Sequence, residues 1–305
     1  MKWITSTDIK HWADTRGSQG LLPELVVRLI RATSTNINHV RFPSGDAIHL
    51  SGWDGVLDSN ETIFNVSSGI SLWECGVNTN PKDKANEDYS KRTNNPLGYD
   101  KTQSTFVFVT PRIWDRAIEW ANEKKQFGEW KDVVVITAVE LEEWLLMCPA
   151  IALWLTESIS GKSIRKVYSI ESYWNRWASG KNLKLNPSIL LGGREKEQKS
   201  VYDNISKSSI TIVQSMAQSE SLAFAVACIL ESPDKYNLLS KCIVVEDEDI
   251  LERLIDEYNN IVFIADVGQK NHMYAIRNDH CIIYAASAAE SFNKTSDTNL
   301  IKLPL

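Results

Sequence analysis

Two isolated carboxylates and a pair of lysines stand out in the first third of this sequence. Asp54 sits in GWDG between two glycines, Glu74 interrupts the otherwise apolar run SLWECG, and Lys82 and Lys84 follow in NPKDKANEDYSKRT. A carboxylate inside an apolar strand needs a compensating partner. A divalent ion such as Mg²⁺ takes one or two carboxylates plus waters and phosphate oxygens. Held beside a phosphodiester, such an ion activates water and neutralises developing charge, and a neighbouring lysine stabilises the transition state. Asp54, Glu74 and one of the lysines are therefore the candidate core of a metal-assisted phosphodiester hydrolysis. Taken singly, each has a structural reading: an aspartate in a glycine-flanked turn, a glutamate facing solvent, lysines on a solvated helix face. Their order along the chain is what joins them.

The surrounding elements must position these residues. Helical periodicity covers residues 7–15 and 21–33, the second with Leu22, Leu25, Val26, Leu29 and Ile30 on one face and Glu24 as its polar exception. Short β-type runs follow at 47–50, 62–66 and 70–75, separated by the turn-rich stretches SGWDG and SSG. Asp54 is then expected at the end of a strand. Alternation along 70–75 sets Leu72, Glu74 and Gly76 on one face, with Trp73 and Cys75 on the other. A polar helix is expected over 82–92, where Lys84, Asp88 and Lys91 share a stripe that favours Lys84 over Lys82. Strand 105–110, helix 114–125, strand 133–137 and helices 140–147 and 150–159 complete the segment.

This order of elements and the separation of about 20 residues between Asp54 and Glu74 resemble the PD-(D/E)xK superfamily of restriction-endonuclease-like enzymes, in particular its Mrr-like branch. The resemblance spans roughly residues 10–160. It implies a mixed sheet flanked by helices, a Mg²⁺ or Mn²⁺ ion held by Asp54 and Glu74, and endonucleolytic cleavage of DNA, double-stranded on this reading. It also implies a helper carboxylate at Glu24. The family places its lysine two positions after the glutamate, where this chain has Gly76. A lysine moved to the following helix is a known variation, which leaves Lys84, with Lys82 as the alternative.

Beyond a polar, aromatic-dotted connector at 161–187, apolar strands alternate with helices: strand 209–214, helix 220–230, strand 242–246, helix 250–258, and strands 261–266 and 281–286. That alternation implies a doubly wound parallel α/β domain. Residues 188–305 resemble a P-loop NTPase core of the STAND or AAA+ kind, open to being truncated. A phosphate-wrapping loop needs glycines, a lysine and a Ser or Thr. The matching place reads SMAQSES, without glycine or lysine, although Asp266 ends NNIVFIAD where a Mg²⁺-binding aspartate would stand. A degenerate module without nucleotide hydrolysis is expected.

The chain has 305 residues and a net charge of −6, which argues against wholesale coating of nucleic acid and leaves room for a local basic face. Five scattered cysteines read as reduced core residues, and neither a signal peptide nor a membrane span is visible, so a cytoplasmic location is expected. The expected organisation is a nuclease-like domain at 1–160, a linker at 161–187 and a degenerate NTPase-like domain at 188–305. Such fusions resemble bacterial antiviral defence proteins, for which self-association and a phage-derived activator are candidate further partners. The competing expectation is an inactive scaffold or sensor that binds nucleic acid or a protein.

Overall fold

The computed structural model describes residues 2–45, 47, 51–161, 164, 166–179, 185–267, 278–290 and 298–304. It is mixed α/β, with two mixed sheets flanked by helices. The chain divides into two compact units between Cys148 and Pro149, rather than after residue 160.

The first unit runs α1 (Ser6–Trp12), α2 (Ser18–Thr33), β1 (Ile37–Arg41), β2 (Gly55–Ser59), β3 (Gly69–Cys75), α3 (Pro81–Asn94), β4 (Thr105–Val109), α4 (Ala117–Gln126), β5 (Asp132–Ile136) and α5 (Ala138–Leu146). Its sheet has the order β1-β2-β3-β4-β5, antiparallel over the first two pairings and parallel over the last two. The interior strand β4, TFVFV, is buried at every position, as a parallel strand covered on both faces requires. On one face Leu72, Phe106 and Phe108 pack with Ala85 and Tyr89 of α3 and Trp120 of α4. Helix α3 is polar in sequence, and it starts cleanly because Asn80 caps it and Pro81 occupies its first turn.

Of the three early runs, 70–75 falls in β3, 62–66 differs from expectation, being a tight turn closed by an Ile63–Val66 bridge, and residues 48–50 of the run 47–50 lie outside the described residues. The strands are instead INHVR and GVLDS. β1 is mostly exposed, so no apolar alternation betrays it. β2 opens with turn-type residues, and its Gly55 serves packing: a Cβ there would stand 2.1 Å from the Phe42 ring. Asp54 consequently precedes a strand instead of ending one.

The second unit comprises α6 (Pro149–Ser160), β6 (Val167–Tyr168), α7 (Ile170–Ala178), α8 (Pro187–Leu191), α9 (Glu195–Ile205), β7 (Ile210–Ser215), α10 (Gln218–Leu230), α11 (Lys235–Leu239), β8 (Cys242–Val245), α12 (Glu248–Glu257), β9 (Val262–Ala265), β10 (Cys281–Ser287) and β11 (Thr298–Lys302). The sheet order is β11-β7-β10-β9-β8-β6, parallel throughout except for β6, which adds antiparallel to β8. The sheet is therefore mixed and not wholly parallel. The expected connector supplies β6 and α7 to this unit, with Ile170, Tyr173 and Trp174 in its core. β11, TNLIK, lies beyond the last expected strand and pairs parallel with β7. Helix α10, apolar nearly all round, is buried from Ser221 to Ile229. Among the described residues no helix is long and apolar enough to cross a membrane.

Candidate active site

The antiparallel register pairs Gly55 with Trp73, which sets Asp54 level with Glu74 at the end where β2 begins and β3 finishes. Asp54 Oδ2 accepts the backbone N–H of Cys75 at 2.8 Å, fixing the carboxylate against β3. The Glu74 carboxylate accepts from Nε of Arg92 on α3, and the Arg92 guanidinium also donates to the carbonyl of Gly52 and lies 4.7 Å over the Trp53 ring. The side chains of Glu74 and Arg92 are only 5% and 6% exposed.

Gly76 explains how the lysine is accommodated. A Cβ at this position would stand 2.7 Å from the Phe108 ring and 2.9 Å from Cγ of Lys84. The Lys84 stem therefore occupies the space above the residue two positions after Glu74, and a side chain there would displace it. Lys84 Nζ lies 2.7 Å from Asp88 Oδ1 and 4.0 Å from Glu87. Burial disfavours its charge, but the hydrogen bond and charge of Asp88 outweigh that and hold the amine above the ordinary lysine pKa.

Burial pushes the Glu74 carboxyl up to about 8, with Asp54 and Asp88 adding to the rise and Arg92 opposing it. Asp88 is raised as well, again by burial first, against the pull of Lys84. Its side chain is 2% exposed, and its Oδ2 is buried without a hydrogen-bond partner. Three carboxylates, Asp54, Glu74 and Asp88, and two cations, Lys84 and Arg92, are thus electrostatically coupled between β3 and α3. The donor set fits a hard divalent cation, being oxygen-only, with Glu74 and Asp88 buried, Asp54 partly exposed and one carboxylate oxygen unpaired. Among the described residues no three His, Cys, Asp or Glu side chains stand as a ready cage; an ion keeping its own waters and binding one or two carboxylates needs none.

Of the expected residues, Asp54, Glu74 and Lys84 come together. Lys82 is exposed and lines a cavity of about 430 Å³ with Trp114, Arg116 and Trp120, which none of Asp54, Glu74 or Lys84 lines. Glu24 pairs with Arg28 one turn along α2, at 2.7 Å, and no described interaction ties it to the pocket. Asp88 and Arg92 were not among the expected site residues. Their signal was the spacing 84, 88, 92 along α3, since the stripe continues through Arg92 whereas Lys91 is exposed.

In the second unit, only Met216 and Ala217 separate β7 from α10, which leaves no length to wrap a phosphate. Two of the three hydroxyls nearby are committed: Ser215 donates to the Ala217 carbonyl at 2.7 Å, and Ser221 lies 2.8 Å from the Ala286 carbonyl. Arg194 of LGGRE pairs with Glu220 in the first turn of α10 at 2.7 Å. Asp266 follows β9 and accepts from the side-chain amide of Gln218, and burial raises its pKa. All five cysteines are free thiols. No protein-family model matches this chain, and no curated protein matches it.

Proposed function

We propose that the first unit is a divalent-metal-dependent DNA endonuclease of the PD-(D/E)xK, Mrr-like kind. The observation that carries this reading is the Lys84 stem lying across Gly76. It lays the Lys84 stem over the position, two residues after Glu74, from which the superfamily's lysine would project. Asp54 and Glu74 would hold the cation, which when bound supplies Lewis-acid stabilisation and a water of lowered pKa. Lys84, held in its charged form by Asp88, donates toward the reacting phosphate and offsets the negative charge of the pentavalent transition state. Arg92 serves as the counter-ion of Glu74 until the pocket is loaded.

The second unit is, on this reading, a degenerate STAND or AAA+-like module that does not hydrolyse nucleotide. Its support is the two-residue passage from β7 to α10 and the engagement of Asp266 by Gln218. By analogy with fusions of this kind, the whole chain acts as a cytoplasmic antiviral effector, with self-association and a phage-derived activator as further partners. One observation favours a second reading, an inactive scaffold: Arg92 already satisfies Glu74, as a permanent structural ion pair would. Plasmid DNA incubated with the full chain and Mg²⁺ or Mn²⁺ separates the two. Metal-dependent nicking that disappears in Asp54→Asn and Glu74→Gln supports the nuclease, and intact plasmid under every metal condition supports the scaffold.

A further inference from the structure

The cavity that Lys82 lines is formed by the start of α3, the passage after β4 and the first turns of α4. Its volume of about 430 Å³ falls within the range of small-molecule sites, roughly 300–1,000 Å³. Its wall is aromatic: Trp114 and Trp120 stand 5.6 Å apart with their planes at 53°, and Ile113 and Pro81 add apolar surface. Its rim carries two cations against three carboxylates. Arg116 and Glu119 hold each other at 2.6 Å, which leaves Asp115 and Glu123 facing Lys82 alone. No described ion pair takes any of these last three, so the rim has a surplus of negative charge.

The face of an indole attracts cations. This unit uses that attraction within its own chain: Arg92 lies 4.7 Å over the Trp53 ring, and Lys124 lies 4.9 Å and 5.7 Å from the ring centres of Tyr89 and Trp120. Trp120 is thus supplied with a cation. Trp114 is partly exposed, and among the described residues no cation stands over its ring. A free indole beside surplus carboxylates suits a positive ligand and opposes a phosphate-bearing one.

We propose that this cavity binds an organic cation, a quaternary or methylated ammonium group on an apolar body. The head sits against Trp114, Asp115 and Glu123 offset its charge, and the body runs along Ile113 and Pro81. The site is separate from the proposed chemistry, because none of Asp54, Glu74 or Lys84 lines it.

The test is titration of choline into the full chain at low ionic strength, without metal or DNA, followed by saturation-transfer NMR on the choline methyl signal. Saturable binding is expected, with the neutral carbon isostere of choline about 3–30-fold weaker. Glu123→Gln is expected to weaken choline by about 2–5-fold, and Lys82→Met, which removes a like charge, to tighten it by a similar factor. Trp114→Ala is expected to abolish saturable binding. Trp114 also packs against the core, so the two exposed variants decide the matter if Trp114→Ala fails to fold. Equal binding of choline and its isostere would overturn the proposal, as would no saturable binding at all. Tightening in Glu123→Gln with weakening in Lys82→Met would also overturn it and assign the cavity to an anion.

Discussion

The end of β3 in the first unit and the end of β7 in the second carry similar residue types and differ in how far those residues are satisfied. Around β3, Glu74, Asp88 and Arg92 are buried, Asp88 keeps an unpaired oxygen, and burial raises the two carboxyl pKa values. Around β7, Ser215, Ser221 and Gln218 are engaged by neighbours, Arg194 and Glu220 neutralise each other, and the connection to α10 is too short to cradle an anion. Capacity for chemistry follows from buried charge that the protein has not fully compensated.

The largest expected effect that would sharpen this contrast is on stability. Arg92→Met leaves Glu74 buried without its counter-ion, for which about 3–5 kcal/mol is expected once Glu74 is ionised, measured by denaturant unfolding above its pKa of about 8. The same change at Arg194, which is more exposed, is expected to cost about 1 kcal/mol or less. Equal costs would erase the distinction between the two regions.

Next in size is Gly76→Ala. Its Cβ would meet the Phe108 ring and the Lys84 stem, and overpacking of this kind costs about 1–3 kcal/mol. Metal-dependent cleavage is further expected to fall by more than the folded fraction does, because Lys84 is pushed aside. Cleavage that tracks only the folded fraction would remove Gly76 from the argument.

The pH dependence has a definite sign. Glu74 titrates higher in the folded chain, at about 8 against an ordinary 4.5, so the folded state holds this proton more tightly than the unfolded state does. Its contribution to stability is full below about 4.5 and is lost as pH rises through about 8. The groups facing it are Asp54, Asp88 and Arg92. A cation must displace that proton, so Mn²⁺ affinity is expected to climb with pH up to about 8 and then level. Glu74→Gln should flatten both curves; a wild-type affinity independent of pH would contradict the assignment.

The smallest expected effect lies in the second unit. ATP with Mg²⁺ should leave the melting temperature unchanged, whereas a ligand at one hundred times its Kd would add about 2.7 kcal/mol. A rise on adding ATP would show that the short turn still binds phosphate.

Strong apolar runs were legible in the sequence. TFVFV, VVVI and CIVV could only be buried strands, and Leu22 to Ile30 could only be a core-facing helix. INHVR and TNLIK were not legible, because their pairing depends on neighbours and not on a buried face of their own. Asp54 and Glu74 could be found because each is a lone carboxylate in a setting that isolates it. Asp88 and Arg92 had only their spacing with Lys84 to mark them, since charged residues on a polar helix look solvated until the fold lays that helix across β3. Glu24 looked equally isolated on its apolar helix, yet Arg28 one turn away accounts for it.

The most direct measurement is single-turnover cleavage of plasmid DNA with Mn²⁺ by wild type, Lys84→Met and Lys82→Met at equal folded concentration. The account expects a loss of about 10²-fold or more in Lys84→Met and a change within about twofold in Lys82→Met, which lines a different cavity. Loss in Lys82→Met with Lys84→Met intact would contradict the claim that the lysine reaches its place across Gly76.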